Sequence, residues 1–278
     1  MKHLFLGNGS IGKRHQVNLL SLRPDADILA VDPVVPAHFE TIYDAVNSLG
    51  DFSDCVAYIC SPFEYHWHQY HTLISHGAKA IFCEKPFYSV GDPDRHHAEP
   101  PDVPFACGYN HRYHPLFRKL YSLREHLYFF HLYGTENISA KYGDTALETM
   151  LSHSLDLGLW LFGSYEKYSL IDVGVQAYFR GVHRYSPKEA HIAAVSMQAD
   201  MLSMYRVATC SIGYANPETE KLERHLYGIE KNDQMYLDEM KAWLHYVETG
   251  DAGDLCTFQQ ALKVQEIMNN RNRGEIRP

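Results

Sequence analysis

Apolar and polar positions follow two rhythms along this chain. In the first, short apolar runs at His3-Leu6, Ile28-Val31, Cys55-Ile59, Lys79-Cys83 and Phe105-Cys107 alternate with amphipathic stretches at Ser10-Leu22, Phe39-Leu49 and Tyr65-His76. Strands apolar on both faces and separated by helical periods predict βαβ repetition, with a parallel sheet covered by helices on both sides. Gly77 ends the third helix, and Pro93, Pro100, Pro101 and Pro104 forbid a regular helix over 88–104, which therefore reads as a loop. Pro115 opens a helix running to about Glu125.

In the second rhythm, strand-like stretches follow one another without regular intervening helices: Leu127-Ala140, Tyr168-Phe179, Ala190-Ala199, Tyr205-Ile212 and Arg224-Ile229. Such a succession predicts a mostly antiparallel open sheet. The exceptions are a helix over Glu148-Phe162, capped by Gly163, and two C-terminal helices near Tyr236-Glu248 and Phe258-Arg271. The change of rhythm places a domain boundary near residue 114, dividing the chain into 1–114 and 115–278.

The first rhythm also carries chemistry. His3-Leu6 leads into Gly7-Asn8-Gly9-Ser10-Ile11-Gly12, and the next apolar run closes on Asp32. In a dinucleotide-binding turn the first glycine permits the tight bend, the second lets the backbone approach a pyrophosphate, and the third allows close helix-on-strand packing. The helix from Ser10 points its N–H groups and positive dipole end at the phosphates, so Gly7, Gly9, Ser10, Ile11 and Gly12 form the expected cofactor loop. Asp32, twenty residues after Gly12, is placed to accept hydrogen bonds from an adenosine ribose and to repel a 2′-phosphate. That favours NAD; Lys13 and Arg14 leave NADP open. The fold class expected is an α/β Rossmann domain over 1–114, doubly wound on a parallel sheet. An α+β domain over 115–278, with a mostly antiparallel open sheet, is expected to serve substrate binding and oligomerisation.

Composition narrows the partners. The 278 residues, 45% hydrophobic and 21% charged, are those of a soluble globular protein. A net charge of -9 without a Lys/Arg-rich run argues against nucleic acid. No apolar stretch approaches the roughly 20 residues that cross a bilayer, and the expected location is cytoplasmic. Cys55, Cys60, Cys83, Cys107, Cys210 and Cys256 show no CxxC pair and read as buried free thiols. The spacings His66-x-His68-x-x-His71 and His111-x-x-His114 lack a matching acid or cysteine set, so no metal is expected.

A more specific signal stands at Phe82-Cys83-Glu84-Lys85-Pro86-Phe87, after Ser61-Pro62-x-x-x-His66 and before Gly108-Tyr109-Asn110-x-Arg112. With Ser152-His153-Ser154-Leu155-Asp156 and the following Trp160-Leu161-Phe162-Gly163, these segments resemble the Gfo/Idh/MocA oxidoreductases, the glucose-fructose oxidoreductase and inositol dehydrogenase family. The resemblance spans nearly the whole chain. It implies that Lys85 sits beside a nicotinamide and that His153 faces the ring from the second domain, with Ser61, His66 and Glu84 near the cofactor and the Lys85-Pro86 peptide cis. Oxidising a secondary alcohol needs a base for the hydroxyl proton, which suits His153, and a fixed positive charge on the reacting oxygen, which suits Lys85. Asp156, one helical turn beyond His153, is a third catalytic candidate, either binding a substrate hydroxyl or orienting the histidine. Tyr109, Asn110 and Arg112 join Lys85, His153 and Asp156 as expected substrate contacts. One departure stands out: many family members have Asp four residues before the histidine, where this chain has Thr149 with Glu148 beside it.

The function these readings predict is NAD(P)-dependent hydride transfer to or from a secondary alcohol or ketone of a sugar, cyclitol or nucleotide-sugar derivative. The substrate is a carbohydrate-like small molecule and the assembly a homodimer or homotetramer. Two alternatives keep the fold but change the role: a glycosidase working through transient oxidation by NAD, and a non-catalytic ligand sensor.

Overall fold

The structure is a computed structural model, described here over residues 1–89, 98–135, 147–172, 176–184, 192–200, 207–216, 218–219, 221–230 and 232–270. Strands β1 (Lys2–Leu6), β2 (Asp27–Val31), β3 (Cys55–Ile59), β4 (Ala80–Glu84) and β5 (Phe105–Gly108) form a parallel sheet in the order β2-β1-β3-β4-β5. The helices between them are α1 (Ser10–Leu22), α2 (Ile42–Leu49) and α3 (His66–Ser75). Every residue of β3 and β4 is buried, as the two-sided apolar runs predict. Helix α2 begins three residues later than the apolar pattern suggests. Thr41 closes a capping box with Asp44, and Phe39 instead makes a β-bridge to Val31. Of the segment expected as a loop, 98–104 carries no regular element, and 90–97 lies outside the described residues.

The second sheet is built from β6 (Leu127–Thr135), β7 (Lys167–Asp172), β8 (Gln176–Arg184), β9 (Ile192–Asp200), β10 (Val207–Ala215) and β11 (Leu222–Gly228), ordered β11-β10-β6-β9-β8-β7. Four of its pairings are antiparallel, and β6 with β9 is parallel. The stretch Tyr168-Phe179, expected as one strand, falls across two, with Lys167 of β7 opposite Val182 of β8. Helix α4 (Pro115–Ser122) opens on Pro115, as expected, with the His114 ring accepting from the Leu116 amide. It stops at Ser122, short of Glu125. Helix α5 (Ser152–Phe162) covers one face of the sheet, Phe162 packing edge-on to Phe130. Gly163 ends α5 at positive φ.

Two C-terminal helices follow, α6 (Gln234–Thr249) and α7 (Phe258–Asn269). The chain divides into two compact units: Met1–Tyr113 with Asp233–Leu262, and His114–Asn232 with the chain from Lys263. A single cut at 114/115 therefore does not describe the packing. The reason is apolar: Trp243 and Met240 of α6 join Phe5, Leu19, Tyr58 and Phe82 in one buried cluster on the α1 side of the parallel sheet. On the opposite side Tyr70 of α3 packs against Phe87, Phe105 and Phe258. All six cysteines are buried thiols, none of them in a disulfide.

Candidate functional site

At the carboxyl end of β1 the glycine loop has the geometry its sequence demands. Gly7 sits at φ +108°, and a Cβ there would lie 2.6 Å from the Cys60 carbonyl. A Cβ on Gly12 would stand 2.1 Å from the Gly7 oxygen, so α1 approaches the turn as only glycine permits. Gly9, the residue that caps α1, has nothing within 4 Å of its Cβ position. Asp32 turns toward this loop: its carboxylate accepts from the Asn8 amide at 2.7 Å and from the Val34 and Val35 amides at 2.9 and 2.8 Å. Partial burial pushes its carboxyl up, but the three amide bonds and Lys13 outweigh this and hold it below the usual carboxylate range.

The ends of β3 and β4 carry the next group. Ser61 Oγ donates to Gln69 at 2.7 Å. His66, expected near the cofactor, turns its ring to the main chain around it. It is buried, with Nδ1 2.8 Å from the Pro86 carbonyl and Nε2 2.9 Å from the Ser61 carbonyl, so its single N–H in the neutral form has a main-chain acceptor on either side of the ring. Burial lowers its pKa, against the raising effect of those carbonyls. Glu84 is buried too, taking a 2.6 Å hydrogen bond from Nε2 of His15 on α1. Burial by itself would raise the Glu84 carboxyl, but the His15 hydrogen bond and the electrostatic attraction of His15, Lys85 and His66 bring it below its ordinary value. Lys85 is half-buried and the Lys85-Pro86 peptide is cis.

Beyond β5, Tyr109 and Asn110 are buried. Arg112, expected to meet substrate, is also fully buried and donates to the Asp254 carbonyl and the Gln260 side chain. It braces its own unit, because a guanidinium needs partners once removed from water. Tyr236 of α6 is a residue the sequence did not single out for chemistry: it bonds to the Asn110 side chain and lies under the Arg14 guanidinium at 4.5 Å. His15 is another. A histidine one turn past Gly12 was the available signal, though helical periodicity alone does not distinguish it from an ordinary core residue.

In the second unit, a π turn at Leu147–Leu151 leads directly into α5, and Ser152 Oγ donates back to the Glu148 carbonyl at 2.8 Å. Such turns widen a helix by one residue and are frequent at functional sites. His153 is half-buried on the first turn of α5, and Asp156, three residues on, is fully buried. Glu148 is buried, whereas the side chain of Thr149 lies outside the described residues. The expected site residues are thus carried by both units: the glycine loop, Asp32, Lys85, Tyr109 and Asn110 on the first, His153 and Asp156 on the second. Among the described residues no group of three or more His, Cys, Asp or Glu is gathered to hold a metal, and no helix is long and apolar enough to cross a membrane.

No protein-family model and no curated protein matches this sequence. Solved structures match its fold. A probable dehydrogenase from Thermotoga maritima is 16% identical with a TM-score of 0.70, over 98% of this chain and 95% of its own. A myo-inositol dehydrogenase from Corynebacterium glutamicum ATCC 13032 is 14% identical with a TM-score of 0.72, over 97% and 94%. The WlbA (WbpB) dehydrogenase from Thermus thermophilus, in complex with NAD and UDP-GlcNAcA, is 15% identical with a TM-score of 0.70, over 97% and 94%. At these identities the likeness is one of fold, an N-terminal parallel α/β sheet followed by a mostly antiparallel one.

Proposed function

We propose that this chain is a NAD-dependent oxidoreductase of the Gfo/Idh/MocA type, moving a hydride between nicotinamide and a secondary alcohol or ketone carbon of a sugar, cyclitol or nucleotide sugar. The observation that carries this reading is the glycine loop. A Cβ on Gly7 or Gly12 would run into backbone, whereas the space over Gly9 is open at the head of α1, where a pyrophosphate fits. Asp32 stands at the neighbouring strand end with three amides on a carboxylate that has about four acceptor sites, leaving room for a ribose hydroxyl. The fold neighbours support the reading, since they are dehydrogenases and the Thermus thermophilus one holds NAD with a nucleotide sugar.

When bound, the nicotinamide supplies the hydride acceptor in oxidation and the donor in reduction. The proton falls to side chains. His153 takes the hydroxyl proton on a ring nitrogen and returns it in the reverse direction. Lys85 donates a hydrogen bond to the reacting oxygen and stabilises alkoxide charge as it develops. Asp156, buried one turn from His153, orients the imidazole, and Tyr109 and Asn110 shape the substrate side near Lys85. The face of the second sheet opposite α5 bears Phe129, Tyr133 and the exposed Leu226, and it is the surface by which the chain forms a homodimer or homotetramer. Light scattering that shows a monomer at micromolar concentration overturns that assembly.

The activity is tested by titrating the purified protein with NADH and NADPH by fluorescence, then offering NAD with a panel of free sugars, cyclitols and UDP-sugars. Tighter binding of NADH and net NADH production with one panel member are expected. Absence of binding by either dinucleotide refutes the reading, and preference for NADPH refutes the role of Asp32. Substrate cleavage without NADH accumulation marks the glycosidase route instead.

A further inference from the structure

Lys85 lies between two residues that are each fastened by a buried histidine. On one side, Glu84 turns its carboxylate to the α1 face of the sheet, where His15 Nε2–H donates to it at 2.6 Å and the His15 ring packs edge-on to Phe82. The other ring nitrogen, Nδ1, faces no hydrogen-bond partner, which places the proton on Nε2. Gly108 on β5 completes this pocket: a Cβ there would be 3.1 Å from Glu84 Oε1. On the other side, Nδ1 of His66 lies 2.8 Å from the Pro86 carbonyl and Nε2 lies 2.9 Å from the Ser61 carbonyl, and in its Nδ1–H tautomer the ring donates to Pro86. His66 belongs to α3, which packs on the opposite face of the sheet through Tyr70, Phe87 and Phe105. The two histidines come from helices on opposite faces of the sheet, so their bonds hold the end of β4 from both sides.

We propose that His15 and His66 are positioning residues for Lys85, one fixing residue 84 to the helix that carries the glycine loop and the other fixing residue 86 to the end of β3. A lysine side chain has about 2 kcal/mol of rotamer entropy, and a strand end free to shift would add backbone freedom to it. Fastening both neighbours removes the backbone part before any ligand arrives. It also ties the ammonium to the frame that holds the dinucleotide loop, because His15 lies one turn beyond Gly12. The groups facing Glu84 are His15 from α1, His66 from α3, Tyr236 from α6, the thiols of Cys60 and Cys83, and Lys85 itself. This inference rests on Lys85 as the reacting cation, but its test needs neither cofactor nor substrate.

The test is competitive labelling of the ligand-free protein with a trace of acetic anhydride, the Lys85 peptide being quantified by mass spectrometry across pH with the other lysines as internal standards. Four variants separate the bonds. His15→Gln keeps a donor near the Nε2 position, and His15→Leu removes it. His66→Asn keeps a donor near Nδ1 for Pro86, and His66→Gln moves the donor to the Nε2 position beside Ser61, away from Pro86. The expected result is a change of about 3-fold or more in Lys85 labelling, on the scale of one lost hydrogen bond, for His15→Leu and His66→Gln. His15→Gln and His66→Asn should stay near wild type. Unchanged Lys85 labelling in folded His66→Gln, or an equal change in both His66 variants, overturns the proposal. If His15→Leu fails to fold, the His66 pair alone decides it. A failed NADH titration alongside a positive labelling result refutes the proposed activity and leaves the clasp standing.

Discussion

The parallel sheet of the first unit and the six-stranded sheet of the second bury apolar surface in different ways, and their chemistry is distributed accordingly. Strands β3 and β4 are buried at every position. The expected site residues of this unit stand where strands end: Gly7 after β1, Asp32 after β2, Ser61 after β3, Lys85 after β4 and Tyr109 after β5. This is the rule for open α/β sheets. In the second unit the sheet is alternating, with Phe130 and Leu132 buried and Phe129 and His131 half-buried between them. Its expected catalytic residues come from α5 instead, directly after a π turn. One unit therefore offers chemistry from a row of strand ends, the other from a single helix.

The sharpest way to test this division is to remove the principal side chain from each unit. His153→Ala is expected to lower kcat by roughly 10²–10⁴ and to abolish one limb of the pH profile. Its NADH affinity should be unchanged, because the histidine belongs to the substrate side. Lys85→Ala should lower turnover and weaken substrate binding as well. Steady-state kinetics across pH decide the assignment: near-wild-type kcat with an unchanged profile in His153→Ala would place the base elsewhere, with Lys85 or Tyr109 next in line.

A second experiment asks where the first unit ends. Trp243 lies far along the chain yet packs against Tyr58 and Phe82. Trp243→Ala should cost about 3–5 kcal/mol and lower hydrogen-exchange protection in β3 and β4. Unaltered protection in those strands would detach α6 from that core.

The glycine loop provides a comparison within one unit. Gly12→Ala forces a Cβ against the Gly7 backbone and should cost about 1–3 kcal/mol in urea unfolding. Gly9→Ala meets nothing in the protein, so stability should hold while NADH affinity falls by about tenfold or more. Loss of stability in Gly9→Ala, or retained affinity, would mean that the open space is not the dinucleotide's.

These contrasts also explain which parts of the molecule were legible in the sequence. Helix α1 and strand β3 coincide with their apolar patterns to the residue, because glycine turns and two-sided burial leave strong local marks. The end of β7 at Asp172 left almost none: the residues that follow, Val173, Gly174 and Val175, offer in sequence one glycine within an apolar run. The start of α2 was displaced because the Thr41-Asp44 capping box outweighed the apolar Phe39. That Asp32 and Lys85 stand at strand ends was legible because each motif closes an apolar run. The hydrogen bonds of His15, His66 and Arg112 were not legible, since their partners lie 69, 20 and 142 residues away.

The smallest expected effect concerns one histidine on each sheet. His3 of β1 is buried against the Tyr58 hydroxyl at 3.1 Å. Burial, helped by the N-terminal amine and Arg23 and opposed by Asp27, pulls its pKa down to about 4. In the unfolded chain the same imidazole titrates near its ordinary value of about 6.5. Between those values the unfolded state binds a proton that the native state refuses, so stability falls as pH drops through this window. His131 of β6 is only half-buried, and desolvation lowers its pKa in the same sense. His66 adds to the slope on the first unit. Urea midpoints measured near pH 7 and at about pH 5, above the usual carboxylate range, should therefore differ in the wild type. His3→Gln should flatten the difference more than His131→Gln does. If the two variants flatten it equally, the parallel sheet has no greater cost for charging a histidine than the open one, and the contrast in burial between the units does not extend to their electrostatics.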